Sequence, residues 1–221
     1  MKKDTIIFDL DGTLLNTLED LYTAFNYAIK NFGYPERTIE EIKSFVGNGI
    51  KKAIERALPE SVSEEELQKI ISIFKEYYEK NIAVKTNPYD AILPLLKELK
   101  NKSCKIAVVS NKYDNAVKEL CKKYFGEYID IAIGESTEIP KKPNPQGVLK
   151  AIKELNSSIE SSVYIGDSEV DIQTAKNADL PCISVLWGFK DKDFLVQNGG
   201  KYFAKKPKDI IEIIEKKLYL I

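Results

Sequence analysis

Histidine is missing from this 221-residue sequence. Its absence excludes Ser-His-Asp and Cys-His nucleophilic catalysis, phosphoryl transfer through histidine and most zinc sites. We therefore expect any acid–base chemistry to fall to carboxylates, lysine or tyrosine.

Cysteine and long apolar runs are scarce as well. The three cysteines, Cys104, Cys121 and Cys182, are far apart and form no CxxC pair, which indicates buried free thiols in a reducing compartment. No apolar run approaches the roughly 20 residues that span a bilayer. The run Ile6–Phe8 near the amino terminus, interrupted at Asp9, is too short for a secretory signal. We expect a cytoplasmic protein without a membrane partner.

Neither sign of charge dominates the chain. The 33 basic and 34 acidic residues leave a net charge of −1, so no global field favours nucleic acid. The 43% of hydrophobic and 30% of charged residues are typical of a folded globular protein. The length suits one large domain, or a core domain that carries a smaller inserted one.

Short β-branched runs alternate with longer helical patterns along most of the chain. The predicted strands are Thr5–Phe8, Lys105–Val109, Ile129–Ile133, Val163–Ile165, Ile183–Leu186 and Tyr202–Ala204. Most are apolar on both faces, as is typical of parallel strands that helices cover on each side. The alternation predicts an α/β fold with a Rossmann-like, doubly wound parallel sheet.

The stretch 16–86 breaks this alternation and reads as helices only. Two of its Ser/Thr-x-x-Glu pairs are spaced as capping boxes: Thr38 with Glu41, and Ser63 with Glu66. A large helical crossover would explain the stretch, but connections inside α/β units are usually far shorter. We therefore predict an inserted α-helical cap domain at 16–86 and a core domain made of 1–15 and 87–221.

The strongest chemical signal is the motif Asp9–Thr13, directly after the first predicted strand. Its two carboxylates, Asp9 and Asp11, lie at a strand end, where open α/β sheets bind ligands. One carboxylate can be a nucleophile while the other donates and recovers a proton. Gly12 lets the backbone approach an anion closely. A solvated turn also uses Asp and Gly, but the full motif after an apolar strand is more specific.

A second acidic motif, Gly166–Asp171, also follows an apolar strand and opens a helix. Asp167 and Asp171 are four residues apart, so they could share a helix face. Clustered carboxylates without a local base favour a hard cation such as Mg²⁺. Helix capping by Ser168 explains the same residues. The presence of the first motif favours the metal site.

Two weaker signals complete the set. Ser110 and Asn111 follow the strand Lys105–Val109 and could hydrogen-bond a phosphoryl oxygen, although both types are common in turns and caps. Lys142, in a Lys-Pro pair before a helix, could neutralise a phosphoryl group. By itself such a lysine is more often a surface residue.

The order of these motifs resembles the haloacid dehalogenase superfamily, and the resemblance covers essentially the whole chain. The matching positions are Asp9–Thr13, Ser110, Lys142-Pro143 and Gly166–Asp171. The helical insertion after the first motif is similar to that family's helical cap. All four motifs are intact and lie after predicted strands or at helix starts, which is hard to obtain by chance.

Within the superfamily, the chain is most similar to the phosphoglycolate phosphatase branch. Phe45–Ile50 resembles the substrate-side cap loop of that branch, and Trp187–Phe189 resembles its segment after the fifth strand. The sequence departs at Asn16-Thr17, where many relatives carry Asp-Ser. This departure lies at the entry to the cap and concerns fine substrate preference more than the chemistry.

The resemblance implies a mechanism through an aspartyl-phosphate. Asp9 attacks phosphorus, while Asp11 protonates the departing alkoxide and then takes a proton from the hydrolytic water. The groups expected around the phosphoryl oxygens are Gly12, Thr13, Ser110, Asn111 and Lys142. Mg²⁺ is expected on Asp9, the backbone carbonyl of Asp11, and Asp167, with Asp171 in support. The metal and the lysine would offset the repulsion between carboxylates and a phosphate dianion.

The expected partner is a small-molecule phosphate ester, phosphoglycolate first, bound by a monomer or homodimer. Gly47, Asn48 and Gly49 in the cap would offer an amide and backbone N–H groups to a second negative group on the substrate, with Lys51 and Lys52 nearby. The same glycines would equally form a plain interhelix turn with solvated lysines.

Other functions remain open on the same residues. A sugar-phosphate mutase of the β-phosphoglucomutase type would return the phosphoryl group to a sugar, and a pyrophosphatase would use the same scaffold. A non-catalytic phosphate-binding module would not need the intact Asp9, Asp11, Lys142 and Asp167. A dehalogenase is disfavoured, because a halide leaving group needs no acid.

Overall fold

A computed structural model describes residues 3–218 of the chain, so the ends of the predicted core domain, 1–2 and 219–221, lie outside the described residues. The described strands are β1 Thr5–Phe8, β2 Leu15–Asn16, β3 Asn87–Pro88, β4 Lys105–Tyr113, β5 Ile131–Glu135, β6 Ser162–Gly166, β7 Cys182–Val185 and β8 Tyr202–Ala204. The described helices are α1 Leu18–Lys30, α2 Ile39–Phe45, α3 Ile50–Ala57, α4 Glu64–Lys80, α5 Ile92–Asn101, α6 Asp114–Phe125, α7 Gln146–Glu154, α8 Glu169–Asn177, α9 Lys192–Gln197 and α10 Lys208–Lys217. A short 3₁₀ helix covers Gly126–Tyr128.

Within the described range, six strands form one sheet in the order β5-β4-β1-β6-β7-β8, and each neighbouring pair is parallel. The chain runs from β1 through β4 to β5, and then returns to the other side of β1 for the remaining strands. The strand order therefore reverses beside β1. Ligands bind outside the carboxyl ends of the strands at such a reversal, which directs attention to the loops after β1, β4 and β6.

The central strand is buried on both faces. All four residues of β1, from Thr5 to Phe8, are 0% exposed. On one face, Ile7 and Tyr164 belong to a single apolar cluster with Val148 of α7 and Ala175 of α8. Coverage by helices explains the continuous apolar pattern of the strand. The prediction of a doubly wound α/β fold is confirmed.

Strand boundaries differ from the sequence prediction by a few residues. The first and last strands have the predicted limits, whereas β4 continues from Val109 to Tyr113 with an irregular register against β5. Ser110 and Asn111 therefore belong to the end of this strand instead of following it. Strand β5 starts at Ile131 instead of Ile129, and the 3₁₀ helix Gly126–Tyr128 precedes it.

The chain divides into two compact units. The core unit comprises the chain up to Leu15 and from Pro88 onward, and the helical unit comprises Asn16–Asn87. In the helical unit, α1 packs against α4 with Phe25 edge-on to Phe74 at 4.9 Å between ring centroids. No helix in residues 3–218 combines the length and apolar character that crossing a membrane requires.

The two capping predictions in the helical unit have different outcomes. Thr38 and Glu41 form the full reciprocal box at the start of α2. Ser63 accepts a hydrogen bond from the Glu66 backbone N–H at the start of α4, which is one half of the box. The Glu66 carboxylate instead accepts a hydrogen bond from the Tyr34 hydroxyl at 2.9 Å, so a tertiary contact replaces the second local one.

Candidate active site

The end of β4 and the loops after β1, β5 and β6 bring the predicted chemical residues of the core unit together. Lys142 lies at the centre of this cluster, with its side chain only 4% exposed. Its Nζ is 2.8 Å from Asp9 Oδ1 and 2.7 Å from Asp171 Oδ1. The lysine that sequence statistics would place on the surface is therefore a buried cation between two carboxylates.

Tyr164, on β6, is a further member of the cluster that the sequence did not single out. Its ring is fully buried, and its hydroxyl lies 3.1 Å from Lys142 Nζ, 3.1 Å from Asp171 Oδ1 and 3.2 Å from the carbonyl oxygen of Val109. Lys142 donates to the phenol oxygen, and the phenol proton can go to either acceptor. Tyr164 thus fixes the position of the ammonium group.

Asp171 both caps a helix and holds the cluster together. Asp171 is the third residue of α8, and with Ser168 it forms a reciprocal capping box. Its Oδ2 accepts hydrogen bonds from Ser168 Oγ at 2.6 Å, Ser168 N at 3.1 Å and Asp167 N at 3.2 Å. Helix α8 begins at Glu169, so the expectation that Asp167 and Asp171 share a helix face is wrong. The two meet because Asp171 reaches back to the loop before the helix.

Asp167 is held by groups from two other loops. Its Oδ2 accepts a 2.7 Å hydrogen bond from Phe189 N, and its Oδ1 lies 3.5 Å from Thr13 Oγ1. Gly12 has a φ of +82°, and a Cβ there would collide with the Asp167 carboxylate. A Cβ on Gly188 would collide with both Asp167 and the Gly12 backbone. These glycines let the chain close around a buried carboxylate.

Thr13 and the segment Trp187–Phe189 therefore help to hold the Asp167 carboxylate in place. Trp187 Nε1 donates a hydrogen bond to the Thr13 carbonyl oxygen at 3.0 Å. The bond ties the loop after β7 to the loop after β1. The sequence resemblance gives no role for this segment, whereas these contacts indicate a structural one, the positioning of the loop after β1 and of Asp167.

Asp11 lies apart from the three buried carboxylates and has its own cation. Lys112 Nζ is 3.0 Å from Asp11 Oδ1 and 3.1 Å from Oδ2. The Lys112 side chain is 5% exposed, and that of Asp11 is 20% exposed. The two carboxylates of the first motif thus have different surroundings. Asp9 is paired with Lys142, and Asp11 is paired with Lys112.

Asn111 contacts Lys142, and Ser110 contacts Lys112. The Asn111 amide brackets the Lys142 backbone, accepting from its N–H at 2.6 Å and donating to its carbonyl oxygen at 3.1 Å. Ser110 Oγ is buried and accepts a hydrogen bond from Lys112 N at 3.3 Å. Asn111 therefore has a positioning contact that sequence reasoning missed, and its contact with phosphate stays a prediction.

The electrostatics of the cluster follow from burial. Burial raises the pKa of Asp9 to about 7, although the Lys142 ammonium acts in the opposite direction. Burial, with repulsion from Asp171 and Asp9, raises the pKa of Asp167 well above its usual range. Burial would lower the pKa of Lys142, but attraction to Asp171 and Asp9 outweighs it and raises that pKa. The site concentrates negative charge that one lysine does not balance.

The same carboxylates fit a divalent cation. One oxygen from each of Asp9, Asp167 and Asp171 lies within 4.8 Å of the other two, and all three residues are buried. Such a set of oxygen donors suits Mg²⁺, which prefers hard ligands. The raised pKa values of Asp9 and Asp167 point the same way, because an added cation would favour their ionised forms.

The remaining predicted residues belong to the helical unit. Gly47 and Gly49 have φ values of +117° and +84°, and Gly49 precedes α3. Lys51 is paired with Glu64 at 2.6 Å, so part of the positive charge expected near this loop is neutralised locally. The binding role of Gly47, Asn48 and Gly49 stays a prediction.

Comparisons with known proteins agree with this geometry. The model of the family described as haloacid dehalogenase-like hydrolase matches residues 6–185. A phosphoglycolate phosphatase of Aquifex aeolicus (strain VF5) is 31% identical over 215 residues, covering 95% of this chain and 96% of that protein. Pyrophosphatase PpaX of Listeria monocytogenes serotype 4a (strain HCC23) is 29% identical over 216 residues, covering 96% of this chain and 97% of that protein.

Similarity to solved structures is equally extensive. A structure from Lactobacillus delbrueckii subsp. bulgaricus, provisionally assigned as a phosphoglycolate phosphatase, has a TM-score of 0.94 and 37% identity. The similarity covers 97% of this chain and 99% of that one. The family that the four motifs indicated is confirmed, and the chain belongs to the haloacid dehalogenase-like hydrolases.

Proposed function

We propose that this hydrolase is a magnesium-dependent phosphatase that cleaves a small phosphomonoester, phosphoglycolate first, through an aspartyl-phosphate. The observation that carries the proposal is the buried Asp9 carboxylate at the end of β1, 2.8 Å from the Lys142 ammonium. Similarity to phosphoglycolate phosphatases along nearly the whole chain supports the same substrate class.

In the first half-reaction, an Asp9 carboxylate oxygen forms a bond to phosphorus and the ester P–O bond breaks. The electron pair leaves on the ester oxygen, which takes its proton from Asp11. Lys142 lies beside Asp9 and offsets the charge on the phosphoryl oxygens. Ser110 would supply a hydroxyl donor to the same oxygens. The N–H groups of Gly12 and Thr13, in contrast, already donate to the carbonyl oxygens of Leu15 and Leu10.

In the second half-reaction, a water oxygen attacks the phosphorus of the aspartyl-phosphate. Asp11 takes the water proton, the bond between phosphorus and Asp9 breaks, and inorganic phosphate leaves. Both aspartates return to their starting forms, so the cycle consumes one water. Tyr164 and Asp171 keep Lys142 in place through both steps by the contacts described above.

Mg²⁺ would be held by Asp9, the backbone carbonyl of Asp11, and Asp167, with Asp171 in support. When bound, the ion supplies positive charge that offsets the repulsion between the carboxylates and the phosphate dianion. The buried oxygen cluster supports this assignment. Asp167 is pre-oriented for it by the hydrogen bond from Phe189 N.

For the helical unit we propose the role of a cap domain, with boundaries at 16–86. Gly47, Asn48 and Gly49 would contact the non-reacting end of the substrate. A closed, helical cap suits small substrates better than phosphoproteins or nucleic acids. We further propose a cytoplasmic enzyme, monomeric or homodimeric, with no partner other than its small-molecule substrate; the free thiols at Cys104 and Cys121 support a reducing compartment.

A second candidate function is the hydrolysis of inorganic pyrophosphate. It is favoured by the similarity to pyrophosphatase PpaX over 96% of this chain. The two functions share the aspartyl-phosphate step and differ in the leaving group, which is an alkoxide in one and phosphate in the other. A panel of phosphoglycolate, pyrophosphate, sugar phosphates and nucleotides with Mg²⁺ separates them by kcat/KM.

The experiment that tests the proposal is Asp9→Asn. The amide fills the same space but cannot attack phosphorus, so we expect kcat to fall by about 10³-fold or more with an unchanged circular dichroism spectrum. Asp193→Asn, the same change at an exposed position in α9, is the control and should retain full activity. Turnover of Asp9→Asn within tenfold of wild type would sink Asp9 as the nucleophile.

A further inference from the structure

Lys112 is a buried cation that the mechanism above does not use. It is the second-last residue of β4, and its side chain is 5% exposed. Lysine is almost never buried unless it is paired. Its Nζ lies 3.0 and 3.1 Å from the two oxygens of Asp11. Burying an ammonium has a large desolvation free energy, which suggests a functional role for Lys112 in addition to packing.

The placement of Lys112 mirrors that of Lys142. Lys142 contacts Asp9, the proposed nucleophile, and so lies beside the phosphoryl group that is transferred. Lys112 contacts Asp11, the proposed acid, and so lies on the side from which the leaving group departs. Each of the two carboxylates that flank the reacting phosphorus has its own buried ammonium.

The distances bring the leaving group within reach of Lys112. A general acid must lie about 3 Å from the atom that it protonates, so the leaving oxygen lies within roughly 6 Å of Lys112 Nζ. In phosphoglycolate only one methylene group separates that oxygen from a carboxylate. In pyrophosphate the leaving group is itself an anion. Both substrates therefore carry negative charge close to the leaving oxygen, whereas a neutral-tailed ester does not.

We propose that Lys112 is a specificity-determining residue that selects substrates with an anionic leaving group, through contact of its ammonium with that anion. The inference rests on the proposed function and narrows its substrate class. An ammonium attracts an anion from any direction, so its electrostatic contact with the substrate adds to the contacts that Lys112 already makes. The residue therefore acts by adding an attraction that a neutral tail does not experience.

The test compares two esters that differ only at the tail. Phosphoglycolate carries a carboxylate, and 2-hydroxyethyl phosphate carries a neutral CH₂OH group in its place. We expect wild type to prefer phosphoglycolate by at least about tenfold in kcat/KM. In Lys112→Met, the kcat/KM for phosphoglycolate should fall by about 30-fold or more, as for the loss of one partner of a buried charge pair. The preference should then collapse toward one.

The variants are chosen to separate charge from structure. Lys112→Gln removes the charge but keeps a polar end group, and it allows the same comparison of the two esters if Lys112→Met does not fold. Lys112→Arg keeps the charge and should retain most of the preference. Lys118→Met is the matched control, since Lys118 is 60% exposed and paired with Asp114 on the nearby helix α6; both kcat/KM values should be unchanged.

Each outcome decides the matter. A selective loss on phosphoglycolate supports the assignment. An equal loss on both esters overturns it, because Lys112 would then act only by holding Asp11 in place. A wild-type enzyme that hydrolyses both esters equally well also overturns it, while leaving the phosphatase function intact. Failure of wild type on every phosphate ester would instead refute the proposed function itself.

Discussion

Tyr164→Phe tests whether the phenol hydroxyl positions the Lys142 ammonium. The change removes one oxygen from a fully buried ring and leaves the apolar packing of β6 in place. The lost contacts are the 3.1 Å hydrogen bond from Lys142 Nζ and the bond that the hydroxyl donates to either Asp171 Oδ1 or the Val109 carbonyl oxygen. All three partners are left inside the protein.

The expected losses of stability and of kcat follow from the hydrogen bonds that are removed and the ion pairs that remain. Hydrogen bonds to charged groups contribute about 1.5–3 kcal/mol, so we expect the free energy of unfolding to fall by about 2 kcal/mol. For a chain of this length that lowers Tm by about 4–8 °C. Lys142 keeps its ion pairs with Asp9 and Asp171, so the ammonium shifts without leaving. We therefore expect kcat to fall by about tenfold, less than the roughly 10²-fold that a full 1 Å misplacement can cost.

Steady-state kinetics on phosphoglycolate, well below the Tm of the variant, provides the measurement. A positioning role predicts a lower kcat with a KM within about twofold, because we propose that Lys142 acts on the reacting phosphoryl group. Tyr202→Phe, the same change at a partly exposed tyrosine of β8, is the control and should alter neither parameter. In a Lys142→Met background, Tyr164→Phe should cause no further loss of activity.

Two results would refute this reasoning. A kcat within twofold of wild type would show that Lys142 does not depend on the phenol. An additional tenfold loss in the Lys142→Met background would show that Tyr164 acts on something other than the lysine. A fall in Tm alone, with unchanged kinetics, would leave Tyr164 as a packing residue of the sheet.

Two further predictions concern the metal and the thiols. Asp167→Ala removes a proposed oxygen ligand, so apparent Mg²⁺ affinity should fall at least about tenfold and raised Mg²⁺ should partly restore the rate. Full activity of wild type after exhaustive EDTA treatment would contradict the metal dependence. Burial raises the pKa of Cys121 to about 12, so its thiolate fraction at pH 8 is on the order of 10⁻⁴, against about 0.2 for an ordinary thiol. Iodoacetamide should therefore label Cys121 only after unfolding, and its rapid labelling in the native protein would show that the thiol is accessible.

The sheet and its strand-end motifs could be predicted because their signals are local and mutually consistent. A buried parallel strand must be apolar on both faces, and β1 reads so without interruption until Asp9. A carboxylate pair at that point has few structural explanations. The capping box of α2 was predictable for the same reason, since both of its bonds lie within four residues.

The contacts of Tyr164 and Lys112 could not be predicted, because their partners are distant in the chain. Tyr164 is one more large residue in an apolar strand until Lys142, 22 residues earlier, reaches its hydroxyl. Lys112 lies 101 residues from Asp11. The predicted strand ends at Val109, so nothing in the sequence indicates a buried lysine at position 112. Ser63 and Glu66 illustrate the reverse case, in which a predicted local bond lost its acceptor to Tyr34.

Asp171 shows why the competing explanations of the second acidic motif were never exclusive. Asp171 Oδ2 accepts the hydrogen bonds from Ser168 that cap the start of α8. Asp171 Oδ1 accepts a hydrogen bond from Lys142 Nζ and lies within hydrogen-bond distance of the Tyr164 hydroxyl. The capping geometry fixes the rotation of the carboxylate, and the fixed carboxylate in turn orients the lysine. A buried acid that did only one of these tasks would leave part of its hydrogen-bonding capacity unused, which is costly inside a protein. The start of the helix and the position of the Lys142 ammonium are therefore set by the same side chain, so neither can be changed without disturbing the other.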